Sequence, residues 1–434
     1  MEKFIENYKK FLDNGKTERE CVNQIINQAE KAGYKNVYDV KSLKAGDKIY
    51  INKMGKSVAM FCIGKEDIEK GMLILGAHID SPRLDIKQNP LYEKQGIVYL
   101  NTHYYGGIKK YQWLTIPLAL HGKVFLTDGQ CLDLVIGEDL DDPVFCISDI
   151  LPHIADKQMK KNANDFIDGE DLDLVLGAFS KEKTGKEVIL NLLEKKYKIK
   201  EEDFNSAEIE VVPAGKARDS GLNRDLILAY GQDDRVCSYA SLMAILEVEN
   251  PNYTTSCILV DKEEIGSYGA TGMRSHFYDN AVAEVVSRLE NPSEIKVRRC
   301  LANSYMLSSD VNSAFDPLNE DLYDKQNSSP LAGGVVFNKY TGGGGKFGSS
   351  DANPEFIAKL RKLMNTDKVK YQFAELAKVD IGGGGTIAHM AATFGMQVID
   401  CGVPVLSMHA PWELTSKEDV RQAYLAYKAF LKLE

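Results

Sequence analysis

The stretch CILVDKEEIGSYGATG, residues 257–272, places two glutamates between an apolar run and a glycine-rich turn. Cys257 to Val260 are apolar or β-branched, which predicts a short buried strand. Glu263 and Glu264 follow where that strand ends. A solvated loop is the ordinary explanation for such a pair. The alternative is a metal ligand beside a carboxylate that moves a proton, and this alternative requires further ligands elsewhere in the chain.

The composition is that of an ordinary globular protein. The chain has 434 residues, enough for two or three domains, of which 44% are apolar and 27% are charged. Its net charge is −10 without a basic block, so neither nucleic acid nor a membrane surface is an expected partner. The eight cysteines are scattered without a C-x-x-C pair, which predicts buried thiols in a reducing cytoplasm rather than a cysteine zinc site.

The N-terminus predicts two helices and no membrane segment. Phe4, Ile5, Tyr8, Phe11 and Leu12 recur at helical spacing, which is typical of an amphipathic helix and not of a secretory signal. A second helix is expected from about Thr17, because Thr17 and Glu20 have the spacing of a capping box. Nowhere is an apolar run long enough to span a bilayer.

Strand-like and helical runs alternate at both ends of the chain. Three early strands are expected at 47–53, 57–63 and 72–79. The alternation resumes after about residue 226, and it is typical of a mostly parallel sheet covered by helices on both faces. Between these parts, alternating apolar and polar runs with a D-G turn indicate β-strands. We predict an α/β core from residues 1–88 and 227–434, interrupted by a β-rich domain at 89–226.

Metal-binding residue types recur where predicted strands end. His78 and Asp80 in LILGAHIDSPRLD lie two residues apart, so their side chains share one face of a strand. A histidine ligand usually donates its other ring N–H to a carboxylate, although a lone H-x-D is more often a core histidine with a hydrogen bond. Asp233 and Asp234 lie between a strand and a helix, where parallel sheets bind ligands. A helix N-cap at Asp234 is the alternative.

Two further strand ends supply the remaining candidates, Asp310 in YMLSSDVNSAFDP and His409 in GVPVLSMHAPWE. Each residue alone is weak evidence. Together the strand-end candidates are His78, Asp233, Glu263, Glu264, Asp310 and His409. Imidazole and carboxylate ligands without a thiolate are typical of hydrolytic metal centres that keep a position open for water.

Five motifs resemble, in order, those of the aspartyl aminopeptidase family of dinuclear zinc metallopeptidases: G-A-H-I-D-S-P-R, Q-D-D-R, D-K-E-E-I-G-S, S-S-D-V-N-x-A-F-D-P and S-M-H-A-P-W-E. The motifs span nearly the whole chain. The resemblance implies an α/β metallopeptidase core, with a mostly parallel mixed sheet flanked by helices, and an inserted β-rich dimerisation domain. It also implies a metal-dependent aminopeptidase that removes N-terminal residues, among them Asp and Glu, from peptides.

The same resemblance implies a role for each strand-end residue. The implied ligands are His78, Asp233 and Asp310 for one divalent ion and Asp233, Glu264 and His409 for the other, with Asp233 bridging the two. Glu263 is then the general base that deprotonates a metal-activated water, and Asp80 orients His78. Zinc is the expected metal at both positions, and Co²⁺ or Mn²⁺ are the alternatives that such a site accepts.

Four more residues are candidates through the resemblance alone. His153, in SDILPHIADKQ, matches a histidine that reaches the active site from a neighbouring subunit, where it completes the metal environment or binds the scissile carbonyl. An exposed turn histidine is the alternative. Lys339 matches a lysine near the substrate pocket that pairs with an acidic side chain, and a solvated surface lysine is the alternative. Gly384 and Thr386 match the substrate side of the site, and a turn that needs positive φ is the alternative.

The resemblance further implies a homo-oligomer of dimers, up to a tetrahedral dodecamer, that acts on peptides. One departure from the family pattern follows YYGG, where IKKYQWLTIPLALHG lacks the expected aromatic, acidic and basic residues, so a strict preference for Asp or Glu does not follow. An amidohydrolase or deacylase that uses the same dinuclear core on a non-peptide amide is the alternative function. A non-catalytic protein with this fold is a third, and the complete ligand set argues against it.

Overall fold

A computed structural model describes residues 2–179 and 184–433. The chain divides into two compact units. The first unit contains Met1–Asp80, Ala217–Met408 and Glu413–Glu434, and the second contains Ser81–Lys216 and His409–Trp412. The domain boundaries at residues 88 and 226 stay a prediction from the sequence.

The helices of the described residues fall mostly in the first unit. In chain order the α-helices are α1 Glu2–Asp13, α2 Glu18–Lys31, α3 Asp156–Met159, α4 Gly185–Tyr197, α5 Gln232–Leu246, α6 Phe277–Ser287, α7 Glu294–Ala302, α8 Pro354–Thr366, α9 Ala388–Ala392 and α10 Lys417–Phe430. Among the described residues, no helix is both long enough and apolar enough to cross a membrane.

The strands form three sheets. In chain order they are β1 Lys35–Asn36, β2 Lys48–Lys53, β3 Ser57–Cys62, β4 Met72–His78, β5 Arg83–Lys94, β6 Ile97–Tyr105, β7 Leu118–Phe125, β8 Cys131–Ile136, β9 Leu174–Ala178, β10 Ala207–Pro213, β11 Arg218–Ser220, β12 Leu226–Ala229, β13 Thr254–Val260, β14 Tyr305–Ser309, β15 Asn312–Ser313, β16 Val335–Asn338, β17 Tyr371–Phe373, β18 Gln397–Gly402, β19 Pro404–Leu406 and β20 Glu413–Ser416.

The central sheet of the first unit has nine strands in the order β1-β2-β3-β13-β4-β14-β18-β16-β17. Its middle strands, β13, β4, β14 and β18, are parallel, whereas β3 pairs with β13 and β16 with β18 in the antiparallel sense. The predicted fold class, a mostly parallel mixed sheet flanked by helices, is therefore confirmed. A five-stranded sheet in the order β11-β12-β20-β19-β15 also belongs to this unit.

Helices cover both faces of the central sheet because its inner strands are apolar on both sides. In β4, Leu73, Leu75 and Ala77 belong to one hydrophobic cluster, while Met72 and Ile74 belong to another. Successive side chains of a strand point to opposite faces of the sheet, so a continuous apolar run has to be buried on both faces. The first cluster packs against α1, α2, α5, α8 and α10, and the second packs against α6, α7 and α9.

The two N-terminal helices form where the sequence predicts them. In α1 the buried residues are Ile5, Tyr8, Phe11 and Leu12, which is the predicted apolar face. Thr17 caps α2: its side chain accepts the Glu20 N–H, and the Glu20 side chain accepts the Thr17 N–H. The predicted capping box is therefore confirmed.

The second unit is built on a six-stranded sheet in the order β8-β7-β10-β5-β6-β9. All of its neighbouring strands are antiparallel. The unit also contains the short helix α3 and the longer helix α4, which begins at Gly185.

Candidate metal centre

The central strands of the first unit end at the same edge of the sheet and bring their polar side chains together. β4 ends at His78, β13 ends just before the two glutamates, and β14 ends just before Asp310. His78 Nε2 lies 3.3 Å from Asp233 Oδ1, 3.9 Å from Glu263 Oε2 and 3.9 Å from Asp310 Oδ1. A single imidazole nitrogen therefore faces three carboxylates.

The donor atoms fall into overlapping groups, of which two contain His78 and a third contains Asp233, Asp234 and Asp310. In one, His78, Glu263 and Asp310 each offer an atom within 4.8 Å of the others, and in the other, His78, Asp233 and Glu264 do so. The edge of the sheet thus brings together six of the predicted residues: His78, Asp80, Asp233, Glu263, Glu264 and Asp310. His78, Asp80 and Asp233 are buried, while the other three are half-buried and leave the centre open on one side.

Asp80 fixes the orientation of the His78 ring. The Nδ1 atom lies 3.0 Å from the Asp80 carbonyl oxygen and 3.3 Å from its carboxylate Oδ1. Because a carbonyl oxygen can only accept, Nδ1 carries a proton, and Nε2 is the ring nitrogen that faces the carboxylates. This is the arrangement that metal-binding histidines usually have.

The Asp80 carboxylate also positions the two glutamates, a contact that the sequence did not predict. Its Oδ1 accepts the Glu263 N–H at 3.1 Å, and its Oδ2 accepts the Glu264 N–H at 3.2 Å. Lys262, just before the pair, has a φ of 69°, which turns the chain sharply as it leaves β13. The two glutamate side chains consequently start from a fixed backbone.

Asp233 and Asp234 lie at the bent start of α5. Gly231 precedes the helix with a φ of 70°, and Asp233 and Asp234 both have non-helical backbone angles, so the alternative of Asp234 as N-cap stays a prediction. Asp234 is fully buried, and its Oδ2 accepts the His78 backbone N–H at 3.4 Å. The peptide bond between the two aspartates is cis. Asp234 thus contacts the backbone of β4 while Asp233 faces the imidazole.

Asp310 depends on a glycine in the neighbouring strand. β14 and β18 are parallel with Ser309 opposite Cys401, so Asp310 and Gly402 follow on adjacent strands. A Cβ atom at Gly402 would overlap the Asp310 carbonyl oxygen. Only glycine permits this close approach of two backbones.

The concentration of carboxylates raises several pKa values. Desolvation raises the pKa of Asp310 well above its ordinary value, and the charges of Asp234, Glu263 and Asp233 add to the effect, while His78 opposes it. Burial lowers the pKa of His78, but its contacts with Asp233 and Asp80 and the charges of Asp310 and Glu263 outweigh burial and raise the pKa well above its ordinary value. The centre therefore holds excess negative charge that a cation would offset.

These residues fit a divalent metal. Zinc binds imidazole nitrogen and carboxylate oxygen at about 2 Å, so the ligands of one ion lie roughly 3–4 Å apart. The separations of His78 Nε2 from its three carboxylate neighbours fall in this range. A mixed nitrogen and oxygen donor set without sulfur suits zinc and other divalent ions of the first transition row.

Comparison with known proteins identifies the family of this chain. The family model described as aminopeptidase I zinc metalloprotease (M18) matches residues 11–431. The chain belongs to the M18 family. It is therefore a zinc metallo-aminopeptidase, a hydrolase of peptide bonds, and the family expected from the five motifs is confirmed.

Relatives of the M18 family match over nearly the full length. A probable M18 family aminopeptidase 1 from Clostridium acetobutylicum is 54% identical, covering 98% of this chain and 93% of the relative. The crystal structure of an M18 aminopeptidase from Thermotoga maritima is 41% identical with a TM-score of 0.96, covering 100% of this chain and 96% of that one. The S. cerevisiae mApe1 dodecamer shares the fold at 21% identity, with a TM-score of 0.80 and coverage of 98% and 96%.

Two histidines of the predicted M18 site belong to the second unit. His409 Nδ1 lies 2.9 Å from the Gly107 carbonyl oxygen, so Nδ1 carries a proton and donates it to that oxygen. His153 is exposed in a short 3-10 helix that begins at Pro152. An exposed position is compatible with a contact to another subunit. It is equally compatible with a surface histidine that has no catalytic role.

The three predicted substrate residues differ in how firmly they are held. Lys339 is exposed just beyond β16. Gly384 is exposed, and its carbonyl accepts the Gly342 N–H at 2.9 Å, which joins the two glycine-rich loops. Thr386 donates to the Asp400 carboxylate and accepts the Ala388 N–H at 3.1 Å. Its side chain has a structural role at the start of α9.

Proposed function

We propose that this M18 aminopeptidase removes N-terminal residues from peptides at the centre around His78, Asp233, Glu263, Glu264 and Asp310. The observation that carries the proposal is the convergence of three carboxylates on His78 Nε2, whose tautomer is set by Asp80. With Nδ1 held by Asp80, Nε2 is the nitrogen that would bind a metal, and the metal would replace the proton that the neighbouring carboxylates otherwise favour there.

The proposed ligands form two sets that share one residue. They are His78, Asp233 and Asp310 for one ion, and Asp233, Glu264 and His409 for the second. Both ions are proposed to be zinc, in agreement with the family, while Co²⁺ and Mn²⁺ are the substitutes to test. Metals at these positions supply Lewis acidity towards the scissile carbonyl and the attacking water.

Glu263 is the proposed general base. It takes the proton of the attacking water and returns it to the departing amine. Its backbone N–H is held by Asp80, and its Oε2 stays 3.9 Å from His78 Nε2. The carboxylate is therefore fixed beside the centre, which is what proton transfer in a defined direction requires.

Acidic N-terminal residues are proposed as one class of substrate. Lys339 is exposed and positively charged, so it can pair with a substrate carboxylate. We expect Lys339→Ala to lower kcat/KM for Asp and Glu substrates more than for Leu and Ala substrates. Steady-state kinetics on the four aminoacyl-p-nitroanilides measures this difference. Equal losses on all four would remove Lys339 from the specificity of the enzyme.

A homo-oligomer of dimers is proposed as the working form. The S. cerevisiae relative is described as a dodecamer, and the exposed position of His153 suits a residue that acts on a neighbouring subunit. The second unit, with its antiparallel sheet, is the proposed dimerisation domain. All eight cysteines are free, which supports a place in the reducing cytoplasm.

Metal removal tests the proposed function directly. Chelation should remove about two ions per chain and abolish cleavage of aminoacyl-p-nitroanilides, and zinc should restore both. N-acyl amides serve as the comparison substrates. Faster hydrolysis of the N-acyl amides would instead favour the amidohydrolase alternative, and activity that survives complete metal removal would contradict a metal mechanism.

A further inference from the structure

A second buried carboxylate lies behind Asp233. Glu413 is the first residue of β20, and its side chain is 1% exposed. Its Oε2 accepts the Asp233 backbone N–H at 3.0 Å. The Asp233 carboxylate itself lies 3.3 Å from His78 Nε2. Glu413 therefore touches the backbone of the proposed bridging ligand without itself being one of the proposed ligands.

The backbone of Glu413 is in turn held by a buried glutamine. Gln232 Nε2 donates to the Glu413 carbonyl oxygen at 2.7 Å and to the Ile227 carbonyl oxygen at 3.2 Å. Gln232 Oε1 accepts from the Tyr8 hydroxyl at 3.1 Å. Gln232 and Tyr8 both have no exposed surface. A chain of buried polar groups thus runs from α1 through Gln232 and Glu413 to Asp233.

Such a chain is costly to bury unless it serves a purpose that apolar side chains cannot. Buried polar groups gain little net stability even when they are hydrogen-bonded, and apolar residues of similar volume often do as well. A polar network whose hydrogen bonds are all satisfied holds its side chains and backbone in one defined conformation. Here the network ends at the backbone N–H group of Asp233. Holding this N–H fixes the backbone orientation of Asp233, and with it the direction of the Asp233 side chain.

We propose that Glu413 is a positioning residue of the metal centre, and that Tyr8 and Gln232 hold it in place. The Glu413 carboxylate orients Asp233 so that both Asp233 oxygens can serve metal ions. The inference rests on the proposed function, because it requires Asp233 to be a ligand. Groups that orient metal ligands typically change metal affinity by about 10–100-fold when they are removed.

Zinc affinity of the metal-free protein is the measurement, obtained by competition with a chromophoric chelator. Glu413→Ala should weaken zinc binding by about 10–100-fold. Glu413→Gln should stay within about threefold of wild type, because the amide oxygen still accepts the Asp233 N–H. A Glu413→Gln variant as weak as Glu413→Ala would show that the hydrogen bond is not what matters, and would overturn the positioning role.

A matched pair of tyrosine variants separates positioning from loss of stability. Tyr8 and Tyr34 belong to the same hydrophobic cluster, and Tyr34 is 2% exposed with its hydroxyl donating to the Ile245 carbonyl oxygen at 3.0 Å. Tyr8→Phe and Tyr34→Phe should lower Tm by similar amounts, since each removes one buried hydrogen bond. Only Tyr8→Phe should weaken zinc binding, by threefold or more. Equal zinc affinities in the two variants would overturn the inference, even if Glu413→Ala fails to fold.

Asp233→Asn distinguishes this inference from the proposed function. If Asp233→Asn binds zinc as tightly as wild type, Asp233 is not a ligand. The positioning role of Glu413 would then be wrong as well. If Asp233→Asn loses zinc while Glu413→Ala binds it within twofold of wild type, the ligand assignment stands and the positioning role of Glu413 is wrong.

Discussion

Asp80 contacts three parts of the centre at once. It faces the His78 ring through its carbonyl and carboxylate oxygens, and its carboxylate accepts the backbone N–H groups of Glu263 and Glu264. A carboxylate that accepts two backbone N–H groups is a strong anchor. The proposed base and a proposed ligand are therefore held relative to the same histidine.

The clearest prediction at this scale concerns the proposed base. Glu263→Gln keeps the shape of the side chain and its backbone contact with Asp80, but its amide cannot accept a proton. We expect kcat to fall by about 10²–10⁴-fold while the metal content stays that of wild type. Steady-state kinetics and elemental analysis measure the two quantities. Glu264→Gln is the matched control and should lose metal, whereas a near-normal kcat in Glu263→Gln would exclude its role as base.

The sequence predicts which residues end strands, but it does not predict how they face one another. His78, Asp233, Glu263, Glu264 and Asp310 were found because each follows a recognisable apolar run. The direction of Asp234 was missed, since it depends on a left-handed Gly231 and a bent start of α5. Glu413 was missed for a different reason: it reaches Asp233 only because β20 pairs with β12, and local patterns carry no information on such distant pairing.

At the scale of elements, the spacing of β14 and β18 determines where Asp310 lies. Gly402→Ala should destabilise the protein by about 1–3 kcal/mol or more, because the new Cβ overlaps the Asp310 backbone and neither strand can move inside a packed sheet. Zinc binding should weaken with it. Chemical denaturation and zinc titration measure both effects. Gly343→Ala, where a Cβ meets nothing within 4 Å, is the control and should change neither.

A buried carboxylate in β18 makes stability depend on pH. Burial raises the pKa of Asp400 to about 7, and its hydrogen bond from Thr386 opposes this rise only in part. Since an unfolded aspartate has a pKa of about 3.9, the wild type loses stability as pH rises from about 4 through 7, at up to about 1.4 kcal/mol per pH unit. Asp400→Asn cannot ionise and should not show this loss.

The measurement is Tm against pH for Asp400→Asn and wild type. The stability of the variant relative to wild type should increase between pH 5 and pH 8. Asp367→Asn, at an exposed position beyond α8, removes a charge without burial and serves as the control. A constant difference across this range would mean that Asp400 is not protonated in the folded state near neutral pH.

Long elements with a clear period were predictable, and very short ones were not. The strands expected at 47–53, 57–63 and 72–79 correspond to β2, β3 and β4, because apolar and β-branched runs of this length are strong signals. β15 consists of Asn312 and Ser313 alone. Two residues are too few to show the alternation of apolar and polar residues that marks a strand. Such a strand is defined only by its pairing with the neighbouring strand.

At the scale of the whole molecule, the prediction concerns His153. Subunits with His153→Ala are mixed with subunits carrying Glu263→Gln, each inactive alone. If His153 acts on a neighbouring subunit, a hybrid dimer regains one intact site of two, and activity returns after subunit exchange. A mixture of Glu263→Gln with Glu264→Gln is the control and should show no rescue, because both changes lie on the same side of the site. If subunit exchange is verified and activity does not return, His153 acts on the active site of its own subunit or has no role in the reaction.

The position of β4 in the sheet also governs events on the ribosome. β4 lies between β13 and β14, both of which follow the second unit in the chain. At about 5–20 residues per second, the apolar strand that ends at His78 waits roughly ten to thirty-five seconds for its first neighbour to be synthesised. During this interval both hydrogen-bonding edges of β4 lack the strands that pair with them in the folded protein. On the proposed ligand sets, neither metal position is complete until Asp310 and then His409 have been synthesised.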